Sequence, residues 1–388
     1  MELHLQKFLR SGNSLEDLNS RFGIVCKRGK EDNNLIIFKY DMIDSPMGEL
    51  LVQECRGIIL DENDNWNIVS FPYKKFFNEG EGHAAKIDWN TASCLEKVDG
   101  SLITLYFYKS KWQVSTSGTP DASGQISGLD LNQMWKPHPD VSMAAPKSFA
   151  EYFWQTLFVD NADLYSRLGG SGNPIDPNIS TEYCYMFELT GPLNRIVVVH
   201  DYASLTVLGA RHLKTYQEVT PNQAAKMLGH HRPVKAYNLS NLSSILKTFE
   251  NMSPLSQEGY VVVDANFNRI KIKSPAYVAL HHAKDGMTNK NFVEIVRSGE
   301  ISEVLNAFPE FKHSFEEIQT KYQQLLSVVE RDYESLKDIP LQKDFALAAL
   351  KTKSPNALFA VRAKKSSSVP EYFRNIRLET LCDLLGVR

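Results

Sequence analysis

The sequence predicts an α+β protein in two parts: residues 1–285 on antiparallel sheets, and residues 286–388 from helices alone. Three observations carry this. Between residues 35 and 273, short runs of branched and aromatic residues alternate with turn-forming Asp, Asn, Gly and Pro. Those runs hold no Gly-x-x-x-x-Gly-Lys-[Ser/Thr] phosphate loop, and no glycine-rich strand–helix turn of the dinucleotide-binding kind. After about residue 285 the runs lengthen and take helical spacing. Phe315, Ile318, Tyr322, Leu325, Val329 and Tyr333 fall on one stripe of a helix over 311–336.

Taken in order, Ser14 and Asp17 cap a short helix that ends near Phe22. Residues 35–40 are a strand closed by the Asp44-Ser45-Pro46 turn. Residues 54–60 form a second strand carrying Arg56, the turn 61–65 reverses it, and 67–71 returns. Pro72 stops that strand, and Lys75 follows. Lys97-Val98-Asp99-Gly100-Ser101 turns into a strand at 102–108, and 112–118 is a further strand before irregular stretches at 119–128 and 137–146. Ser148 and Glu151 form a capping box. Behind it Tyr152, Phe153, Trp154, Leu157 and Phe158 recur at helical spacing, which favours a core stripe over a base-stacking surface. Residues 169–174 are a glycine-rich loop. Strands follow at 183–189, 194–199 and 205–211, then helices at 221–228 and 239–249. A hairpin of strands 260–264 and 269–273 closes the first part. Helices at 291–297, 302–307, 311–336, 345–350, 356–362 and 371–385 make up the second.

Composition narrows the classes. At 388 residues the chain has room for two domains. A net charge of −3 removes any global nucleic-acid signature, so a basic groove has to be local. Residues 286–388 hold 15 Lys/Arg against 14 Asp/Glu, so the cluster Lys351, Lys353, Lys364 and Lys365 reads as a solvated face. Five cysteines without a Cys-x-x-Cys pair argue against a zinc ribbon or disulfide scaffold and suit a reducing compartment. No signal peptide and no apolar run of membrane-spanning length is evident, so a cytoplasmic protein is expected, in the host cytoplasm if the source is viral.

The chemistry centres on Lys97. A lysine amine is a nucleophile once uncharged, and this one sits at a turn beside Gly100. Alone, it reads more readily as a surface lysine before a hairpin, so the motif needs support elsewhere. Support comes from Glu258-Gly259-Tyr260 and from Arg269, Lys271 and Lys273, which alternate along one strand and share a face. A hairpin folded about Asn266 brings Glu258 close to Lys273. Three aligned cations suit a polyanion. Glu188 stands in an apolar, aromatic run, where a carboxylate needs an ion pair, hydrogen bonds, a metal or a ligand; structural and functional readings stay open. Arg56 and Lys75 lie near opposite ends of their hairpin.

As an ordered set, Lys97-x-Asp-Gly, Glu188 in Phe-Glu-Leu, Glu258-Gly-Tyr and Lys271-Ile-Lys273 resemble the motifs of the covalent nucleotidyltransferases: DNA ligases, RNA ligases and mRNA capping enzymes. Arg56-Gly57-Ile58, Lys75-Phe76-Phe77-Asn78, Asn194-Arg195-Ile196-Val197 and Lys271-Ile272-Lys273-Ser274 with Tyr277 resemble, more narrowly, the T-even phage RNA ligase 1 family. That resemblance covers most of residues 35–282; beyond it the likeness is architectural. It implies an ATP-grasp-like nucleotidyltransferase core with a helical C-terminal domain that selects RNA. It implies that Lys97 attacks ATP to form lysyl-AMP, and that Arg56, Lys75, Lys271 and Lys273 hold the triphosphate. Glu188 and Glu258 would contact the nucleotide or Mg²⁺ or Mn²⁺. Gly100 and Gly259 would admit the adenosine, Tyr277 would line the site, and Tyr40 and Glu96 join the nucleotide-binding set. The implied substrate is RNA with 5′-phosphate and 3′-hydroxyl ends. A cut tRNA is one candidate substrate, a separate end-healing kinase/phosphatase a candidate partner, and the implied state is a monomer. Ser117 stands where family members often carry lysine. Two rivals remain. DNA ligases and GTP-dependent capping enzymes usually append a β-barrel where this chain turns helical. A binding-only relative need not keep all the residues found here.

Overall fold

The chain opens with helices α1 (His4–Arg10) and α2 (Leu15–Phe22), strands β1 (Ile24–Arg28) and β2 (Leu35–Tyr40), helix α3 (Leu50–Glu54), and strands β3 (Arg56–Asp61) and β4 (Asn67–Ser70). This is a computed structural model, and it describes residues 2–126, 144–229, 232–285, 287–299, 301, 304–305, 308 and 311–387. Ser14 caps α2 as expected, its hydroxyl accepting from the Asp17 amide while Gly23 ends the helix in a left-handed turn. Glu54 departs from expectation. It ends a helix instead of beginning a strand, and its buried carboxylate accepts the Leu5 amide of α1 at 3.0 Å. An unpaired helix-start amide takes precedence there over strand propensity.

Next come β5 (Phe77–Asn78), β6 (Ser93–Lys97), β7 (Ser101–Tyr108), β8 (Lys111–Ser115), α4 (Phe149–Asp160), α5 (Ala162–Arg167), β9 (Tyr183–Thr190), β10 (Ser204–His212) and β11 (Glu218–Val219). Helix α6 (Pro221–Leu228), β12 (Ala236–Tyr237), α7 (Leu242–Thr248), β13 (Gly259–Val263), β14 (Arg269–Lys273) and α8 (Pro275–Asp285) follow. Among the described residues the strands make three sheets, ordered β1-β2-β3-β4, β11-β10-β9-β7-β8 and β12-β6-β13-β14-β5. The pairings are antiparallel except β14 with β5, which is parallel.

Strand periodicity decides what each sheet face does. In the second sheet Ile103, Leu105, Tyr185, Phe187, Leu189 and Leu205 point toward α4–α6 and pack on Tyr152, Phe153 and Leu157. The aromatic stripe of α4 is therefore core, with the Phe153 and Phe187 rings 5.4 Å apart. Glu188, between Phe187 and Leu189, takes the opposite face. In the third sheet Cys94, Tyr260, Val262, Ile270 and Ile272 pack with Ile245 of α7. Leu95, Lys97, Val261, Arg269, Lys271 and Lys273 take the other face.

Three further stretches differ from their sequence patterns. Residues 194–199 are no strand, because the Val197 and Val198 amides donate to Asp99 Oδ2 at 2.9 and 2.8 Å and leave no ladder to join. Helix α7 begins at Leu242, where Asn241 caps it, so residues 239–241 stay outside. The helix expected over 371–385 is broken by extended backbone at Ile376. Most of 302–307, and the loop residues 127–143, lie outside the described residues.

The chain divides into two compact units, residues 1–278 and 279–388. In the second unit, described helices are α9 (Asn289–Ser298), α10 (Lys312–Leu336), α11 (Gln342–Ala349), α12 (Pro355–Arg362), α13 (Val369–Asn375) and α14 (Leu378–Leu385). The α10 stripe Phe315, Ile318, Tyr322, Leu325 and Val329 is buried in one core with Phe292 and Val296 of α9 and Leu381 of α14. No described helix is long and apolar enough to cross a membrane.

Phe153 is fully buried against Phe187. Phe153→Ala should lower unfolding free energy by about 3–5 kcal/mol in urea titration. A cost below about 1 kcal/mol would remove the α4 stripe from the core.

Candidate active site

The site begins with register. Gly259 of β13 stands opposite both Lys97 of β6 and Lys273 of β14. Glu258, one residue earlier and 2% exposed, reaches both lysines. Its Oε2 lies 2.7 Å from Lys97 Nζ and its Oε1 2.9 Å from Lys273 Nζ. The hairpin about Asn266 delivers the Glu258–Lys273 proximity expected of it, and β6 adds Lys97 from 161 residues away.

Both glycines of the motifs are required by the protein's own backbone. Gly259 has φ +151°, and a Cβ there would stand 2.2 Å from the Ile272 carbonyl oxygen. A Cβ on Gly100 would meet the Leu189 carbonyl at 2.4 Å and Glu188 Cγ at 3.1 Å, so glycine lets the Lys97 turn lie against β9.

Asp99 anchors that turn from beneath. It is 3% exposed, and besides the two valine amides its Oδ1 accepts from the Tyr277 hydroxyl at 2.7 Å. His200 Nε2 lies 3.2 Å from the Asp99 carbonyl oxygen, and burial holds the His200 pKa below its usual value. Asp99 was legible in the sequence as a turn residue and as the Asp of Lys97-x-Asp-Gly, but not as the anchor of the 197–198 amides. Tyr277 is buried and sits behind the site, not among the cleft-lining residues.

Above this floor is a cleft of about 290 Å³ lined from the second and third sheets, with Arg56 from the start of β3 in the first. Arg56, Glu96, Lys97, Gly100, Glu188, Lys271 and Lys273 line it, with apolar walls including Leu102, Leu208 and Val261. Glu96 is held by the Tyr237 hydroxyl, which donates to it at 3.3 Å. Phe76 gathers three cations, Arg269 among them at 5.7 Å from its ring centre. The Arg56 guanidinium lies 5.2 Å and Lys271 Nζ 5.7 Å from its ring centre. Lys75 Nζ lies 4.8 Å over the Tyr40 ring; neither residue lines the cleft, but Lys75 is within electrostatic reach of Lys271. Ser117 packs against Gly57 and is not a lining residue.

The charges perturb one another. Burial pushes Lys271 down to about 8, and Lys75, Lys97, Lys273 and Arg56 push it the same way. Burial pushes Glu188 up to about 8; Lys97 opposes the rise and Glu258 adds to it. Arg269, the third aligned cation, is already committed. It pairs with Glu218 at 2.9 Å, and Glu218 also pairs with Arg211. Among the described residues Lys271 has no carboxylate within ion-pair distance. Glu218 carried no sequence signal, since its strand has only two residues.

Comparison with known proteins adds to this geometry. A family model described as RNA ligase matches residues 54–277. An RNA ligase of Rhodothermus phage RM378 is 25% identical over 387 residues, covering 86% of this chain and 82% of the relative. A putative bifunctional polynucleotide kinase/RNA ligase of Autographa californica nuclear polyhedrosis virus is 26% identical, covering 80% of this chain but only 42% of its own length. Among solved structures, an archaeal ATP-dependent RNA ligase covers 96% of this chain and 81% of its own at 12% identity and TM-score 0.43. A Naegleria gruberi RNA ligase mutant with ATP and Mn covers 50% of this chain and 52% of its own at 14% identity and TM-score 0.33.

Glu188 gives a signed pH effect. The folded carboxyl keeps its proton to about pH 8, whereas the unfolded chain loses it near the ordinary 4.5. In that window the native state binds the extra proton, so stability should fall as pH rises through it and level off above. Glu188→Gln should flatten this dependence in urea midpoints measured across the window. Equal slopes in the two proteins would contradict a raised Glu188 pKa in the folded state.

Proposed function

The chain belongs to the T4 RNA ligase 1 family of RNA ligases, and from that premise we propose that it seals RNA 5′-phosphate and 3′-hydroxyl ends at the expense of ATP, through Lys97. The observation that carries this reading is the Glu258 carboxylate shared by Lys97 and Lys273 at the edge of a cationic cleft.

Lys97 Nζ attacks the α-phosphate of ATP; an N–P bond forms, the bond to the bridging oxygen breaks, and pyrophosphate leaves. The amine attacks only after giving up a proton. Glu258 Oε2, 2.7 Å away, is in place to receive it while Lys273 holds the other oxygen. Arg56, Lys75, Lys271 and Lys273 offset the charge that builds on the phosphates. The AMP then passes to an RNA 5′-phosphate and frees the lysine. An RNA 3′-hydroxyl attacks the activated phosphate and expels AMP.

Among the described residues no three His, Cys, Asp or Glu side chains cluster as a metal cage. Glu188 and Glu258 with phosphate oxygens and water form a donor set that suits Mg²⁺ or Mn²⁺. The ion would supply further neutralisation of phosphate charge. Glu188 must ionise to take part, so metal loading should release a proton and tighten as pH rises toward 8.

In this proposal residues 1–285 carry the chemistry and 286–388 select RNA. The setting is cytoplasmic RNA repair, with cut tRNA as a substrate and ends prepared by a separate kinase/phosphatase, and the enzyme acts as a monomer. Two residues test the core of it. With α-labelled ATP and Mg²⁺, wild type should acquire label on the Lys97 peptide, and Lys97→Ala none. Glu258→Ala should label at least about 100-fold more slowly. Label surviving in Lys97→Ala would refute the assignment; label from GTP alone would make the protein a capping-type enzyme.

A further inference from the structure

The helical unit has a cleft of its own, about 520 Å³, formed by the C-terminal end of α9, the middle of α10, and α13. Its polar lining includes Arg297, Tyr322 and Arg374. Arg297 is committed: Nη1 donates to the Ile376 carbonyl at 2.7 Å, and Nη2 pairs with Glu294. Tyr322 is 9% exposed, and its hydroxyl has no hydrogen-bond partner among the described residues. Burial raises its pKa, while Arg374 and Arg297 both pull the other way, which places the two guanidiniums within electrostatic reach of the phenol.

Arg374 is exposed, and among the described residues it makes no ion pair or hydrogen bond. The nearby Glu371 instead accepts from the Ser367 hydroxyl at 2.5 Å, and its amide donates to Ser368. Glu294 offsets Arg297, so Arg374 is the cation of the lining with no ion-pair partner among the described residues, and Glu371 lies within its electrostatic reach. A free guanidinium fork and a free phenol in one concavity, backed by a second cation, match the oxygens of a phosphate.

We propose that the Arg374–Tyr322 pocket binds a backbone phosphate of the RNA strand and so anchors the substrate to the helical unit. This rests on the RNA ligase reading and locates one of its RNA contacts in a place that the Lys97 motifs do not reach.

The test uses the full chain and a 5′-phosphorylated, fluorescently labelled RNA without ATP. Binding is followed by anisotropy over a salt series, and lysyl-AMP formation is measured in parallel. Arg374→Ala should weaken RNA binding several-fold and reduce the slope of log K against log salt by about 0.7, one single-strand phosphate contact. Arg374→Lys should keep the slope, Tyr322→Phe should weaken binding without changing it, and all three should form lysyl-AMP as wild type does. Unchanged RNA affinity and slope in Arg374→Ala would overturn the proposal. So would a parallel loss of lysyl-AMP, which would make Arg374 a folding residue. Inorganic phosphate and pyrophosphate serve as competitors. If Arg374→Ala abolishes their effect but spares RNA binding, the pocket is a free-phosphate site and the RNA proposal falls. If wild type forms no lysyl-AMP, the ligase reading fails separately.

Discussion

One buried carboxylate organises the site. Glu258 is almost wholly removed from water, and an isolated charge there would be very costly. Two ammonium groups, one at each oxygen, make that placement tenable. The arrangement ties three strands to one register, with Gly259 opposite both lysines. A slip of one residue in β6 or β14 would turn a lysine to the α7 side and leave Glu258 half-paired. The side-chain chemistry and the strand pairing are therefore one constraint seen at two scales.

The cleft follows from how the two five-stranded sheets are covered. Each has one face closed by helix-packed aliphatic and aromatic residues; part of the second sheet's other face packs on the first sheet through Tyr106 and Cys184, and the remainder, with the other face of the third sheet, carries the charged residues. Burial, and after it the neighbouring cations, lowers the Lys271 pKa, while burial raises that of Glu188 against the pull of Lys97, so both record the cost of holding charge in the cleft. A polyanionic ligand relieves it. Local departures from good packing and pairing of this kind are what a functional site looks like against a consistent fold.

Around the cleft, side chains outside the motifs hold it in shape. Glu218 gathers Arg211 of β10 and Arg269 of β14, linking the second sheet to the third. Arg269 also lies 4.1 Å over the Tyr73 ring, so the third aligned cation serves the wall as much as any ligand. Asp99 gathers Tyr277 and the 197–198 amides under the Lys97 turn. Both acids act at long range along the chain.

The sequence by itself determined the elements whose signal is local. The α2 cap, strand β2, the β13–β14 hairpin, helix α6 and the stripe of α10 follow from neighbours within a few residues. Strand alternation put Arg269, Lys271 and Lys273 on one face, and the resemblance to nucleotidyltransferase motifs joined Lys97, Glu258, Lys271 and Lys273 as one expected set. What only the tertiary structure decided was which groups meet across long separations. Residues 194–199 have the composition of a strand, yet Asp99 takes their amides. Glu54 has a strand on one side and an uncapped helix start 49 residues away on the other, and the helix takes it. Arg269 looks like its two neighbours until Glu218 reaches it, and Arg374 looks like any surface arginine until it lines one cleft with Tyr322. Hydrogen bonds and ion pairs between distant segments have no periodicity to betray them, so chain order alone does not show them.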